Sequence, residues 1–195
     1  MSARGQTDGL IARDRALVFV VDLQEAFAKA IPDFERIARG AAALVSGAAE
    51  MDVPVVATEQ YPKGLGATVG PVAAALGSNA PIEKTRFSAA RAEGVDLSDR
   101  DQVILCGVEA HVCVAQTALE LLSRGSEVYV AEDAVGSRSE QDRSVGLRRM
   151  EAAGALPTSV EAALFELLGD AAADEFKSVQ GIVLDYAPSG SGATA

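Results

Sequence analysis

The stretch ALVFVVD, residues 16–22, decides how the rest of the chain is read. Its six apolar residues run without a polar interruption, whereas a strand with one face in water alternates. The run therefore reads as a strand covered on both sides, as in a parallel sheet. It ends abruptly in Asp22. From Asp33 onward Phe34, Ile37, Ala41, Leu44, Val45 and Ala48 recur at three- and four-residue spacing, the period of an amphipathic helix. Val53-Pro54-Val55-Val56-Ala57 then reads as a second strand, with Pro54 near its start, where a missing donor is tolerated.

The same alternation continues downstream. A weak strand over residues 81–83 leads to Lys84, and clear strands follow at residues 102–106 and 127–131. Between the last two, a helix begins near His111 or Val112 and stops at Arg124-Gly125. A helix over residues 140–153 ends at Gly154, residues 155–158 suit a short last strand, and helices are expected over residues 159–168 and 174–184. Residues 59–71, EQYPKGLGATVGP, are rich in turn formers and read as a long loop leaving the second strand. Short β-rich runs alternating with helical stretches describe an α/β fold, a three-layer αβα sandwich around a parallel sheet.

At 195 residues and 49% hydrophobic content, the chain suits one domain, expected over residues 1–188, before a disordered tail SGSGATA at 189–195. No apolar run is long enough to span a membrane, and the first residues have no apolar core of a secretory signal, so the cytoplasm is the expected compartment. Two cysteines make no disulfide framework. With 28 acidic against 17 basic residues the net charge of −11 repels nucleic acid and anionic membrane alike. A small-molecule enzyme or a protein-binding module remains.

In open parallel sheets, sites lie at the carboxyl ends of the strands. Asp22, Lys84 and Cys113 occupy such positions. Each has a plain structural reading when taken alone: a strand-end turn residue, a solvated charge and a small buried hydrophobe. Cys106 lies within a strand and reads as structural.

Together, VFVVDLQ (18–24), EKTRFSA (83–89) and GVEAHVCVAQT (107–117) resemble the isochorismatase-like cysteine hydrolases, a family that includes nicotinamidases and N-carbamoylsarcosine amidohydrolase. TEQYPKGLG, DAVGSRSEQDR, LRRMEAAGA and LLGDAAADEFKSVQ are similar to the isochorismatase domain-containing branch of it. The resemblance implies a six-stranded parallel sheet and a catalytic triad of Asp22, Lys84 and Cys113 hydrolysing an amide-type C–N bond. It also implies a cis peptide at Val108–Glu109, with the backbone N–H groups of Glu109 and Cys113 as the oxyanion hole. On this reading a helix N-terminus and the Lys84 ammonium favour the thiolate, and Asp22 takes the thiol proton.

Nicotinamidases place a metal-binding D-W-H-x-x-x-H stretch after the second strand. Here that place holds EQYPKGLG, and the sole histidine, His111, lies elsewhere, so neither a metal nor another cofactor is expected. Gln60, Phe87 and His111 are the candidate substrate contacts; Glu109 either meets substrate or faces solvent. Some family members cleave the vinyl ether of isochorismate without needing the cysteine, and a silent interaction protein is the non-enzymatic alternative. The apolar residues Leu164, Leu167, Leu168, Phe176, Ile182 and Leu184 exceed what two surface helices need and suggest a homo-oligomer.

Overall fold

The computed structural model describes residues 9–186. The tail expected at 189–195 lies outside them. Strand β1 (Ala16–Val21) is buried along its whole length. It is followed by the short helix α1 (Glu25–Ala28) and the long helix α2 (Phe34–Glu50), whose three- and four-residue spacing of apolar side chains faces the sheet. Strand β2 (Val55–Gln60) leads into α3 (Pro62–Leu65), α4 (Gly70–Leu76) and strand β3 (Ile82–Lys84). A 3-10 turn, Ala89–Arg91, precedes β4 (Gln102–Val108), a π-helical turn over Ala110–Val114 and α5 (Ala115–Ser123). The remaining elements are β5 (Glu127–Gly136), α6 (Glu140–Ala152), β6 (Leu156–Thr158), α7 (Val160–Leu168) and α8 (Phe176–Tyr186).

The six strands are parallel and ordered β3-β2-β1-β4-β5-β6. Chain order runs one way from β1 through β2 to β3 and the other way from β4 to β6, so the direction reverses between β1 and β4. Such a reversal opens a crevice beyond the carboxyl ends of the two strands. Side chains of β1 divide between the two faces: Val18 and Val20 pack with α2, α4, α7 and α8, while Leu17, Phe19 and Val21 pack with α5 and Met150 of α6.

The register aligns the strand ends that carry the polar residues. Val21 stands opposite Thr58 on one side and Gly107 on the other, and Gln60 stands opposite Lys84. Gly107 has φ +121°, and a Cβ there would lie 2.1 Å from the carbonyl oxygen of Val21. Only glycine lets β4 and β1 approach this closely at the mouth of the crevice.

Three expectations need correction. Residues 59–71 are no open loop: Pro62 and Pro71 each sit in the first turn of a short helix, where proline's missing N–H costs nothing. Strand β5 continues past Ala131 to Gly136, through Glu132 and Asp133. Asp133 is held inside the fold because its carboxylate accepts the Val160 N–H at 2.9 Å and the Tyr186 hydroxyl at 2.9 Å. Finally, the apolar C-terminal residues are used within the protomer. Leu164, Leu167 and Leu168 are buried, Phe176 and Ile182 pack against the core, and only Leu184 of this set is largely exposed, at 69%.

Candidate active site

Asp22 leaves the end of β1 with a left-handed backbone, φ 54°, and its side chain is fully buried. Aspartate tolerates this conformation better than most residues. Its two carboxylate oxygens have different partners: Oδ1 accepts from the Thr58 hydroxyl at 2.8 Å and Oδ2 from the Lys84 ammonium at 2.7 Å. Lys84 is as dry as its partner, with side-chain exposures of 1% and 0% for the pair. Its Nζ also donates to Gln60 Oε1 at 2.8 Å and meets the carbonyls of Arg86 and Phe87, both at 3.1 Å. Four acceptors around an ammonium with three hydrogens leave Lys84 fully committed, so it serves as a fixed charge and a clamp on Asp22.

Cys113 sits in the π-helical turn that joins β4 to α5, and the peptide bond before that turn, Val108–Glu109, is cis. The turn is fixed from both sides. The Glu109 carbonyl accepts from the Val112 and Val114 N–H groups at 3.0 and 3.1 Å, and Thr117 Oγ1 donates to the Cys113 carbonyl at 2.6 Å. Gly146 of α6 lets that helix press against Ala110, where any Cβ would stand 2.7 Å from its backbone. The Cys113 thiol lies near the Asp22 carboxylate and the Glu109 backbone N–H.

The free cysteine is therefore a thiol, contrary to the expectation of a favoured thiolate. Burial pushes it up to about 12, and the charge of Asp22 adds to the effect; the Lys84 charge and the Glu109 N–H pull the other way. Lys84 cannot prevail because Asp22 stands between the two and offsets its charge. Cys106, buried within β4, is also pushed up to about 12 by burial.

Cys113 opens onto a cavity of about 370 Å³ walled by Phe27, Leu65, Phe87 and Val112, with Gln60, Glu109 and Arg138 as its polar lining. That volume suits a small molecule. A wider depression of about 600 Å³, between Tyr61, Lys63, Glu83 and Arg86, lies on the other side of Lys84, and Cys113 is not among its walls. Of the expected substrate contacts, Gln60 and Phe87 line the cavity beside the thiol. Gln60 is already engaged, donating to the Thr85 carbonyl at 2.8 Å while its oxygen receives Lys84. His111 is not among the lining residues. Its ring lies between Ser137 Oγ, 3.1 Å from Nδ1, and Glu109 Oε2, 3.5 Å from Nε2. The Glu109 side chain is buried and paired with Arg138, so it does not face solvent.

Sequence reading missed Thr58, Gln24 and Arg138. Thr58 and Gln24 flank Asp22 in space: Gln24 Nε2 donates to the carbonyls of Gln60 at 3.1 Å and Gly66 at 2.7 Å, binding α3 to the strand ends. The signal for Gln24 is its place in DLQ, two residues past the strand; Arg138 lies in DAVGSRSEQDR, which carries the family resemblance but assigns this arginine no role. Among the described residues, no three His, Cys, Asp or Glu side chains are grouped to hold a metal ion.

The family model described as the isochorismatase domain matches residues 16–162. Isochorismatase domain-containing protein 2A of Mus musculus is 41% identical over 191 residues, covering 96% of this chain and 92% of its own. The secreted isochorismatase effector Isc1 of Phytophthora sojae is 37% identical over 187 residues, covering 91% and 89%. Among solved structures, the MAR1 ribonuclease of Caenorhabditis elegans superposes with a TM-score of 0.85 at 40% identity, covering 96% of this chain and 99% of that one. Fold, strand order and these matches over most of its length agree: the chain belongs to the isochorismatase family.

Proposed function

We propose that the protein is a cysteine hydrolase that cleaves an amide-type C–N bond of a small molecule through Cys113, Asp22 and Lys84. The observation that carries this reading is the continuous chain from thiol to carboxylate to ammonium at the switch point of the sheet, opening onto a largely apolar cavity. Because the resting sulfur is protonated, Asp22 acts as general base at the moment of attack rather than maintaining a thiolate beforehand. The thiol proton passes to the Asp22 carboxylate as the S–C bond forms and the carbonyl electrons move onto oxygen. The N–H groups of Glu109 and Cys113 receive that oxygen. Collapse breaks the C–N bond, the amine leaves with the proton from Asp22, and a thioester remains. Water, deprotonated by Asp22, then cleaves the thioester and restores the thiol. Lys84 keeps the carboxylate in place and limits the build-up of negative charge.

The reading takes residues 1–188 as one catalytic domain working without a metal or other cofactor. It places the protein in the cytoplasm, although the Phytophthora relative is named as secreted. Among the described residues, no helix is long and apolar enough to cross a membrane. A second reading comes from the Caenorhabditis relative, named a ribonuclease. The net charge of −11 opposes it, because a phosphate backbone is bound through positive charge. Isochorismate cleavage, which would not need the thiol, is the third.

The test is a panel of small amides, ureido acids, isochorismate and an RNA oligonucleotide, assayed with wild type and Cys113→Ala. Amine or ammonia release by wild type, lost by a factor of about 10³ or more in Cys113→Ala, is the expected outcome. Equal activity in both proteins removes Cys113 as nucleophile, and turnover of RNA alone replaces the amide reading. Sedimentation at micromolar concentration tests the expected homo-oligomer.

A further inference from the structure

One buried charge in the cavity takes no part in the steps above: the carboxylate of Glu109. A carboxylate in an apolar wall is costly unless its charge is offset and its oxygens are bonded. The partners come from the loop after β5 and from the turn that carries Glu109 itself. Arg138 Nε donates to Oε1, and Oε2 lies 3.5 Å from His111 Nε2, whose other ring nitrogen meets Ser137 Oγ at 3.1 Å. Ser137 and Arg138 are the two residues that follow β5. The loop leaving β5 thus holds the Glu109 side chain directly at Oε1 through Arg138, and through Ser137 it contacts the His111 ring near Oε2, while the backbone N–H of Glu109 lies near the sulfur of Cys113.

Arg138 itself is 64% exposed, and among the described residues its guanidinium has Glu109 as its protein partner. An exposed arginine gains little from a surface ion pair. This one differs because its carboxylate partner is buried in the wall of the cavity onto which Cys113 opens.

We propose that Arg138 is a positioning residue that acts through the Glu109 carboxylate. It offsets that charge in the cavity wall and keeps the Glu109 N–H directed at both the sulfur and the oxygen of the attacked carbonyl. The half that concerns the carbonyl oxygen rests on the hydrolase reading; the half that concerns the sulfur is a property of the free protein and needs no substrate. Asp22 from the end of β1 and Lys84 from β3 act on Cys113 by charge, and Glu109 at the start of its own turn acts through its backbone N–H; the Glu109 side chain and Arg138 line the cavity onto which Cys113 opens, and Thr117 from α5 is uncharged. Replacing Arg138 leaves the Asp22–Lys84 pair in place.

The experiment measures iodoacetamide alkylation of Cys113, followed by mass spectrometry, against pH on the full chain. Wild type, Arg138→Lys, Arg138→Gln and Arg138→Met are compared after circular dichroism has confirmed folding. With the carboxylate no longer offset, Arg138→Met and Arg138→Gln should alkylate roughly tenfold more slowly at a fixed pH near 9, the change expected for about one pH unit in the thiol. Arg138→Lys should stay within about threefold of wild type, since it restores the charge. On any substrate the panel yields, Arg138→Met should lower kcat roughly tenfold and leave KM within about twofold, as for an interaction made only in the transition state. An alkylation profile unchanged in folded Arg138→Met overturns the proposal. So does a loss confined to KM, which would make Arg138 a substrate contact. If Cys113→Ala proves as active as wild type, the hydrolase reading falls while the alkylation comparison still decides what Arg138 does to the sulfur.

Discussion

The two rims of the sheet hold ionic clusters of similar composition in opposite surroundings. At the amino ends, Arg15 bonds Asp101 through Nε and Nη2, both at 2.9 Å, and reaches Glu127 at 2.9 Å. All three side chains remain partly in water, Arg15 at 26% exposure and Asp101 at 48%. At the carboxyl ends, Asp22 and Lys84 form a pair at 2.7 Å with almost no exposure. A charge left in water keeps most of its solvation whether or not it finds a partner. A buried one depends on its partners, and here each bond at the site rim has a neighbour that would be stranded without it. The amino rim can therefore exchange residues at little cost, whereas the carboxyl rim is one interdependent unit facing a cavity. Dry charges arranged this way are the physical mark of a site.

The largest difference should come from breaking the site pair on one side. Lys84→Met keeps an apolar stem of similar length but leaves Asp22 as a buried, uncompensated charge, with Gln60 and two backbone carbonyls losing their donor. A loss of about 3–5 kcal/mol in unfolding free energy is expected in denaturant titrations at neutral pH. The double variant Lys84→Met with Asp22→Asn should recover part of it, because no charge is then stranded. A loss below about 1 kcal/mol in the single variant would mean that water reaches the pair, and the contrast between the rims would disappear.

That contrast also explains what could be read from sequence. Strands β1 and β4 are buried along their whole length, so their apolar runs stand out, and Asp22 and Cys113 follow such runs; Lys84 follows only a weak strand, and its motif marks it. Polar residues that serve the site carry no such signal. Thr58, Glu59 and Gln60 extend β2, whereas the turn formers after them make residues 59–71 read as a loop. The Glu59 carboxylate accepts the Thr68 N–H and hydroxyl at 2.6 and 2.7 Å, closing the segment that Gly and Pro mark as a turn. Arg138 is exposed like any surface arginine, and only the buried carboxylate it meets sets it apart. The thiol was misjudged for a related reason. Proximity to a cation can be guessed from a motif, but depth of burial and an intervening carboxylate cannot.

An effect of intermediate size follows from that burial, and its sign can be worked out. An unfolded thiol ionises near 9.0, while Cys106 and Cys113 keep their protons in the fold up to about 12. Between those values the unfolded chain has released protons that the native protein retains, so stability is full below about pH 9 and falls as pH rises toward 12. Each thiol contributes a slope of up to about 1.4 kcal/mol per pH unit in that window. Cys113→Ala removes one contribution whatever it does to absolute stability. The variant should lose stability less steeply than wild type when both are unfolded with urea between pH 9 and 11. Parallel slopes would place the thiol in contact with solvent and return the site rim to the same class as the other.

The smallest effect belongs to the amino rim and is what makes the comparison a test. Arg15→Met removes both ion pairs at once, but Asp101 and Glu127 stay close to water and recover solvation that Asp22 could not. Glu127 also keeps the Gln102 amide, which donates to its Oε2 at 2.9 Å, and so is not left bare. The expected cost is about 0.5–1 kcal/mol, and raising the salt concentration should shrink it further, because exposed pairs are screened and dry ones are not. The same salt series on Lys84→Met should leave its larger deficit nearly unchanged. If the two deficits respond to salt alike, the ion pairs at the two rims differ in number of bonds and not in kind, and the dryness assigned to the site is wrong.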